Sequence, residues 1–129
     1  MKIERGSKIV DTLKIIENEL IEVGIDPRNY GFYYLMHAIN YYLENGKEFC
    51  EVSITKELYP YVACRNGRKN VPPSRVERCI RQSIGKLYNE TCTDLLSNMI
   101  NYKTGKPSNS TFIAYLLIRV KNKINDGDN

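Results

Sequence analysis

Apolar residues recur at spacings of three and four along almost the whole chain, and this restricts the fold to packed helices. Ile9, Val10, Leu13, Ile16, Leu20 and Val23 form the first stripe, which ends before Gly24. Asp26-Pro27-Arg28-Asn29 reads as a turn, and a second helix is expected from about Gly31 to Glu44, with Gly46 as its stop. A third, short helix begins after Ser53 or Ile54 and takes in Leu58, Tyr61 and Val62; Pro60 inside it demands a kink or an early end. Residues 64–70 read as a loop, and a fourth helix is expected over Ser74 to Tyr88. A fifth is expected over Thr91 to Asn101, and a last one runs from Ser108 or Asn109 to near Ile124. No strand, repeat or internal linker is evident. The expectation is therefore all-α, with six helices around one core.

Composition narrows the functional classes. With 129 residues, 42% hydrophobic and 26% charged, the chain is long enough to bury a core without disulfides or metal. No apolar run approaches the ~20 residues that span a bilayer. The start, Met1-Lys2-Ile3-Glu4-Arg5, shows no signal-peptide core, so no membrane partner is expected and the cytoplasm is the expected location. Cys50, Cys64, Cys79 and Cys92 lack metal-ligand spacing, and His37 is remote from them, so they read as buried or half-buried thiols. No phosphate-binding loop, nucleophile elbow or metal motif is present, and neither an enzyme nor a cofactor is expected.

The charge is concentrated. Between Arg65 and Tyr88 stand seven positive residues and one negative, Glu77; the rest of the chain carries twelve positive and fourteen negative. Such clustering suggests a polyanionic partner, although a solvated basic face explains charge alone equally well. On a wheel of 100° per residue, Val76, Cys79, Ile80, Ser83, Ile84 and Leu87 fall on one arc of the fourth helix. Opposite that arc lie Ser74, Arg78, Arg81 and Gly85, with Arg75 and Gln82 on one flank and Glu77 on the other. Two arginines one turn apart suit the guanine edges of a major groove, Glu77 could accept from cytosine, and Gln82 could pair with adenine or a phosphate. A solvated helix surface explains the same residues. Glu77 also fits a capping box with Ser74, which would make it structural.

At these residues a family resemblance emerges. Ser74-Arg75-Val76-Glu77-Arg78-Cys79-Ile80-Arg81 resembles the recognition-helix motif of the DNA-binding effector domain of the sporulation stage-zero master regulator. Gly31-Phe32-Tyr33-Tyr34-Leu35 with Ala38-Ile39, Ser53 to Pro60, and Gly105 to Ala114 resemble three further segments in the same order. The resemblance spans about Ile21 to Ile124 and implies a helix-turn-helix domain over 21–124. Residues 1–20 are then a helical extension packed on it, and 125–129 a flexible tail. It implies binding to short promoter boxes in double-stranded DNA, as homodimers on tandem sites. Glu77, Arg78 and Arg81 fall on base-reading positions, and Arg75 and Gln82 on supporting ones. It also implies that the fifth helix lies near where an RNA polymerase sigma subunit is engaged, although Asn89 to Tyr102 departs most from the family. The family carries an N-terminal receiver domain that this chain lacks, so either an excised domain or a stand-alone relative is expected, and the native-looking start and extra N-terminal helical residues favour the second. The turn from Cys64 to Pro73 is longer than the family's, which adds Arg65, Arg68 and Lys69 as candidate phosphate contacts.

Lys106, Asn109 and Ser110 stand at a loop-to-helix junction, where exposed N–H groups bind phosphate; ordinary capping by Ser108 or Asn109 explains them too. Lys56 and Lys86 are further candidates for phosphate. The ten tyrosines favour core packing over stacking on single-stranded bases. The alternative function is an interaction module that titrates a full-length regulator, for which Ile15, Leu117 and Ile118 would supply an exposed apolar surface.

Overall fold

α2, Tyr30–Asn45, is the hub, and its sequence explains why. Tyr34, Leu35, Ala38, Ile39 and Tyr42 recur at helical spacing and are all buried, so several of its sides need neighbours at once. In this computed structural model, which describes residues 2–65, 71–90 and 106–127, α1, Lys2–Val23, packs on α2. So do α3, Tyr59–Cys64, α4, Pro73–Glu90, and α5, Asn109–Gly127. Gly46 closes α2 in the left-handed conformation, φ 60°, and its N–H donates to the Tyr42 carbonyl.

The described residues thus hold five α-helices and no strand; the helix expected over Thr91 to Asn101 lies outside them. α5 continues to Gly127, so residues 125–127 are helical where a fraying tail was expected. α1 runs unbroken through residue 20, and its Ile16 and Leu20 share the core with Leu35, Ile80 and Phe112. Fully burying such side chains contributes roughly 1.5–3 kcal/mol each. Arg119 on α5 reaches back to Glu19 on α1 at 3.0 Å, and Glu19 is almost wholly buried.

The third helix departs from expectation in an instructive way. The interruption expected at Pro60 takes the form of a break just before it. Residues Ile54–Leu58 wind as one π turn, with Leu58 N–H donating to the Ser53 carbonyl and Tyr59 N–H to Ile54. Only then does α3 begin, with Pro60 in its first turn, where a missing N–H breaks no helical bond. The wider turn accommodates what a continuous α-helix through Pro60 could not. A single 3-10 turn, Phe49–Glu51, precedes it.

Cys50 and Cys64 are exposed, a correction to their reading as buried or half-buried thiols: Cys50 sits in the 3-10 turn and Cys64 is the last residue of α3. Cys79 is half-buried, as expected, and Cys92 lies outside the described residues. Leu117 is buried on α5, so of the three residues considered for an apolar surface only Ile118 is exposed. No helix among the described residues is long and apolar enough to cross a membrane.

Candidate nucleic-acid interface

α4 divides cleanly into two faces. Val76, Ile80, Ser83, Ile84 and Leu87 are buried against the domain, and Ser74, Arg75, Arg78, Arg81, Gln82 and Lys86 are exposed. The arc read from the sequence is the arc that packs. The helix begins at Pro73, so Ser74 lies inside it rather than before it, and the anticipated Ser74–Glu77 capping box does not form. Proline is suited to a first helical position, where its fixed φ is helical and no N–H is needed. The turn before it is pinned at both ends: Arg65 N–H donates to Val62 and Val71 N–H to the Ala63 carbonyl, which folds the chain back from α3 to α4.

The two central arginines stand in different surroundings. Arg78 has no side-chain partner among the described residues and projects into solvent. Arg81 forms an ion pair one turn back with Glu77, 3.2 Å away, an exposed pair that contributes no more than a few tenths of a kcal/mol. Glu77 has a second attachment through its backbone, whose carbonyl accepts from Asn109 Nδ2 at 3.0 Å. The same Asn109 amide donates to the Tyr59 hydroxyl at 3.1 Å. Both protons of that amide are thereby engaged, tying the start of α5 to α3 and α4. Burial, the largest influence, raises the Tyr59 hydroxyl's pKa and the Asn109 contact opposes it, so the hydroxyl stays protonated.

The other candidates surround this face unevenly. Ser108 caps α5, its Oγ accepting from Thr111 N–H at 3.2 Å, which leaves Asn109 and Ser110 as the first two helical residues. Lys106 approaches α4 at Gly85: a β-carbon there would lie 3.6 Å from Lys106 Nζ. The loop before α5 is therefore brought up to the exposed face of α4. Arg75 lies over the Tyr30 ring, 5.9 Å from its centroid, and Arg65 over Tyr61 at 4.7 Å. Lys56 is exposed in the π turn, its N–H held by Ser53 Oγ. Arg68 and Lys69 lie outside the described residues.

One group escaped the sequence. The first residues of α2 meet the flank of α4 in a cleft of about 340 Å³ that involves Arg28, Asn29, Tyr30, Gly31, Gln82, Ser83 and Lys86. Gly31 and Ser83 make the approach: a β-carbon on Gly31 would stand 2.0 Å from Ser83 Oγ. Two small residues fifty-two positions apart, Gly31 and Ser83, could have hinted at a close crossing, but sequence spacing cannot say that they oppose each other.

The family model described as sporulation initiation factor Spo0A C terminal matches residues 16–120 of this chain.

Proposed function

Since this chain belongs to the Spo0A C-terminal family of sporulation initiation factors, we propose that it is a sequence-specific double-stranded DNA-binding transcription regulator. In this reading α4 enters the major groove and Arg78, Arg81 and Glu77 read base edges. Arg75, Gln82, Lys86, Lys56, Arg65, Lys106 and Ser110 hold the flanking phosphates, and Asn109 positions α5 against α4 rather than donating to DNA. Two copies would occupy tandem boxes.

The observation that supports this best is the pairing of Arg78, which has no side-chain partner among the described residues, with Arg81 one turn away on a face flanked by further cations. A guanidinium with no intramolecular contact to surrender can fork onto guanine O6 and N7 at little cost. Glu77 restrains Arg81 in the free protein; on DNA the pair can divide, the arginine donating to guanine and the carboxylate accepting from a cytosine amino group.

Fluorescence anisotropy tests the proposal, using a short duplex with a family-type box, a scrambled duplex and two salt concentrations. Preference for the box that survives the higher salt is the expected outcome. Equal binding to both duplexes, erased by salt, would reject base reading and leave only phosphate attraction.

A further inference from the structure

The cleft between the start of α2 and the flank of α4 has the chemistry of an anion site. Asn29 precedes α2 but its side chain makes no capping hydrogen bond, and Phe32 N–H turns back to the Asn29 carbonyl at 3.1 Å. The N–H groups of Tyr30 and Gly31 are the first two of this 16-residue helix, where no intrahelical acceptor exists. They carry the positive end of its dipole. Ser83 lines the same cleft from α4. It is only 7% exposed and has no hydrogen-bond partner among the described residues. Among the described residues the hydroxyls sealed away without a partner are those of Tyr34 and Tyr42, so Ser83 Oγ stays open to the cleft and can donate to an anion there.

Charge completes the set. Lys86 lines the cleft one turn beyond Gln82. Arg28 lines it too, but Asp26 clamps its guanidinium through Nε at 3.1 Å and Nη2 at 2.8 Å. That contact holds the Asp26 carboxyl down at about 2, so the pair stays charged and nearly neutral in sum. The Arg28 donors are thus largely engaged by Asp26, and Lys86 supplies the net positive charge. Gly31 is required for the geometry, since any side chain there would fill the space against Ser83.

We infer that this cleft is a phosphate site, formed by the Tyr30 and Gly31 N–H groups, Ser83 Oγ and Lys86, that takes one backbone phosphate of the duplex read by α4. The inference rests on the proposed DNA function, and it adds α2 and Ser83 to the interface. Gln82 and Lys86 lie on the flank of α4, so a strand bordering the groove passes over them and reaches the start of α2. A helix that crosses the backbone beside a recognition helix commonly anchors it in this way.

The test combines Ser83→Ala and Lys86→Gln with duplexes carrying a neutral methylphosphonate at each backbone position in turn. Each substitution should weaken box and scrambled duplex alike, by up to about tenfold, and Lys86→Gln should lower the salt slope by about one. At one backbone position the methylphosphonate should weaken the wild type, yet weaken the Ser83→Ala protein little further. Such non-additivity identifies the phosphate that this cleft holds. Wild-type binding to the box with full additivity at every position would overturn the site while leaving the DNA function standing. No binding of the wild type to any duplex would overturn both. Circular dichroism melting of each variant keeps misfolding apart from lost contact.

Discussion

Arg78 and Arg81 differ in what each must give up to meet DNA, and this sets their substitution effects. Arg78→Ala removes a side chain with no partner among the described residues. It should leave the melting temperature within a degree or two and cost about 1–3 kcal/mol on the cognate box. Arg81→Ala should cost as much on the box and more on scrambled DNA than Arg78→Ala, because it leaves the Glu77 carboxylate unneutralised beside phosphates. Competition anisotropy with both duplexes measures the contrast. Away from the interface, Tyr42 buries a hydroxyl without a partner, and burial drives its pKa up to about 12. Tyr42→Phe should therefore stabilise the fold by about 1 kcal/mol in urea denaturation. His37 has its pKa lowered, first by burial and then by Arg65. Its folded pKa lies below the ordinary 6.5, so the unfolded chain binds the proton more readily. Stability is full above pH 6.5 and falls as the pH drops through that value toward the folded pKa. His37→Gln should flatten the melting profile between pH 7 and pH 5.

Between elements, the α2–α4 crossing governs where the recognition helix sits. Gly31→Ala would force a β-carbon into Ser83 Oγ and to 2.8 Å from the Cys79 carbonyl, which belongs to backbone and cannot rotate away. A loss of roughly 1–3 kcal/mol is expected by urea denaturation, and removing the hydroxyl with Ser83→Ala should restore only part of it. α1 and α5 are joined differently, by Arg119 and the buried Glu19 carboxylate. Arg119→Met leaves that charge buried beside an apolar neighbour, at a cost on the order of 3 kcal/mol. Glu19→Gln in the same chain should recover much of the loss, which a double-mutant cycle in urea would show. The break of the third helix into a π turn and α3 belongs to this scale too. Pro60 announced a disturbance in the sequence, but the form it took depends on Leu58 and Val62 both reaching the core, which only their neighbours could require.

At the scale of the molecule, the positive surplus of residues 65–88 is carried largely on and around α4, and α2 and α5 bring Lys106 and the uncapped start of α2 to the same side of that helix. The five cations among the proposed phosphate contacts, Arg75, Lys86, Lys56, Arg65 and Lys106, predict a slope of about −4 to −5 for log affinity against log salt on scrambled duplex, measured by anisotropy. A slope near −1 would show that the cations serve solubility instead. Among the described residues, the sequence alone determined where the long helices lie, which faces of α2, α4 and α5 are buried, and the family, because helical period and ordered motifs are local properties. It placed α2's stop at Gly46 and the division of α4 into a buried and an exposed arc. It misjudged the cap of α4 because Ser74 and Pro73 both suit a helix start, and which of them begins it depends on how the turn is tied back to Ala63. It assigned Asn109 an open choice between capping and phosphate, and only packing brought Tyr59 and the Glu77 carbonyl to its amide. Tertiary structure alone decided the cleft at the start of α2, since Gly31 and Ser83 become neighbours only when two helices cross without side chains between them.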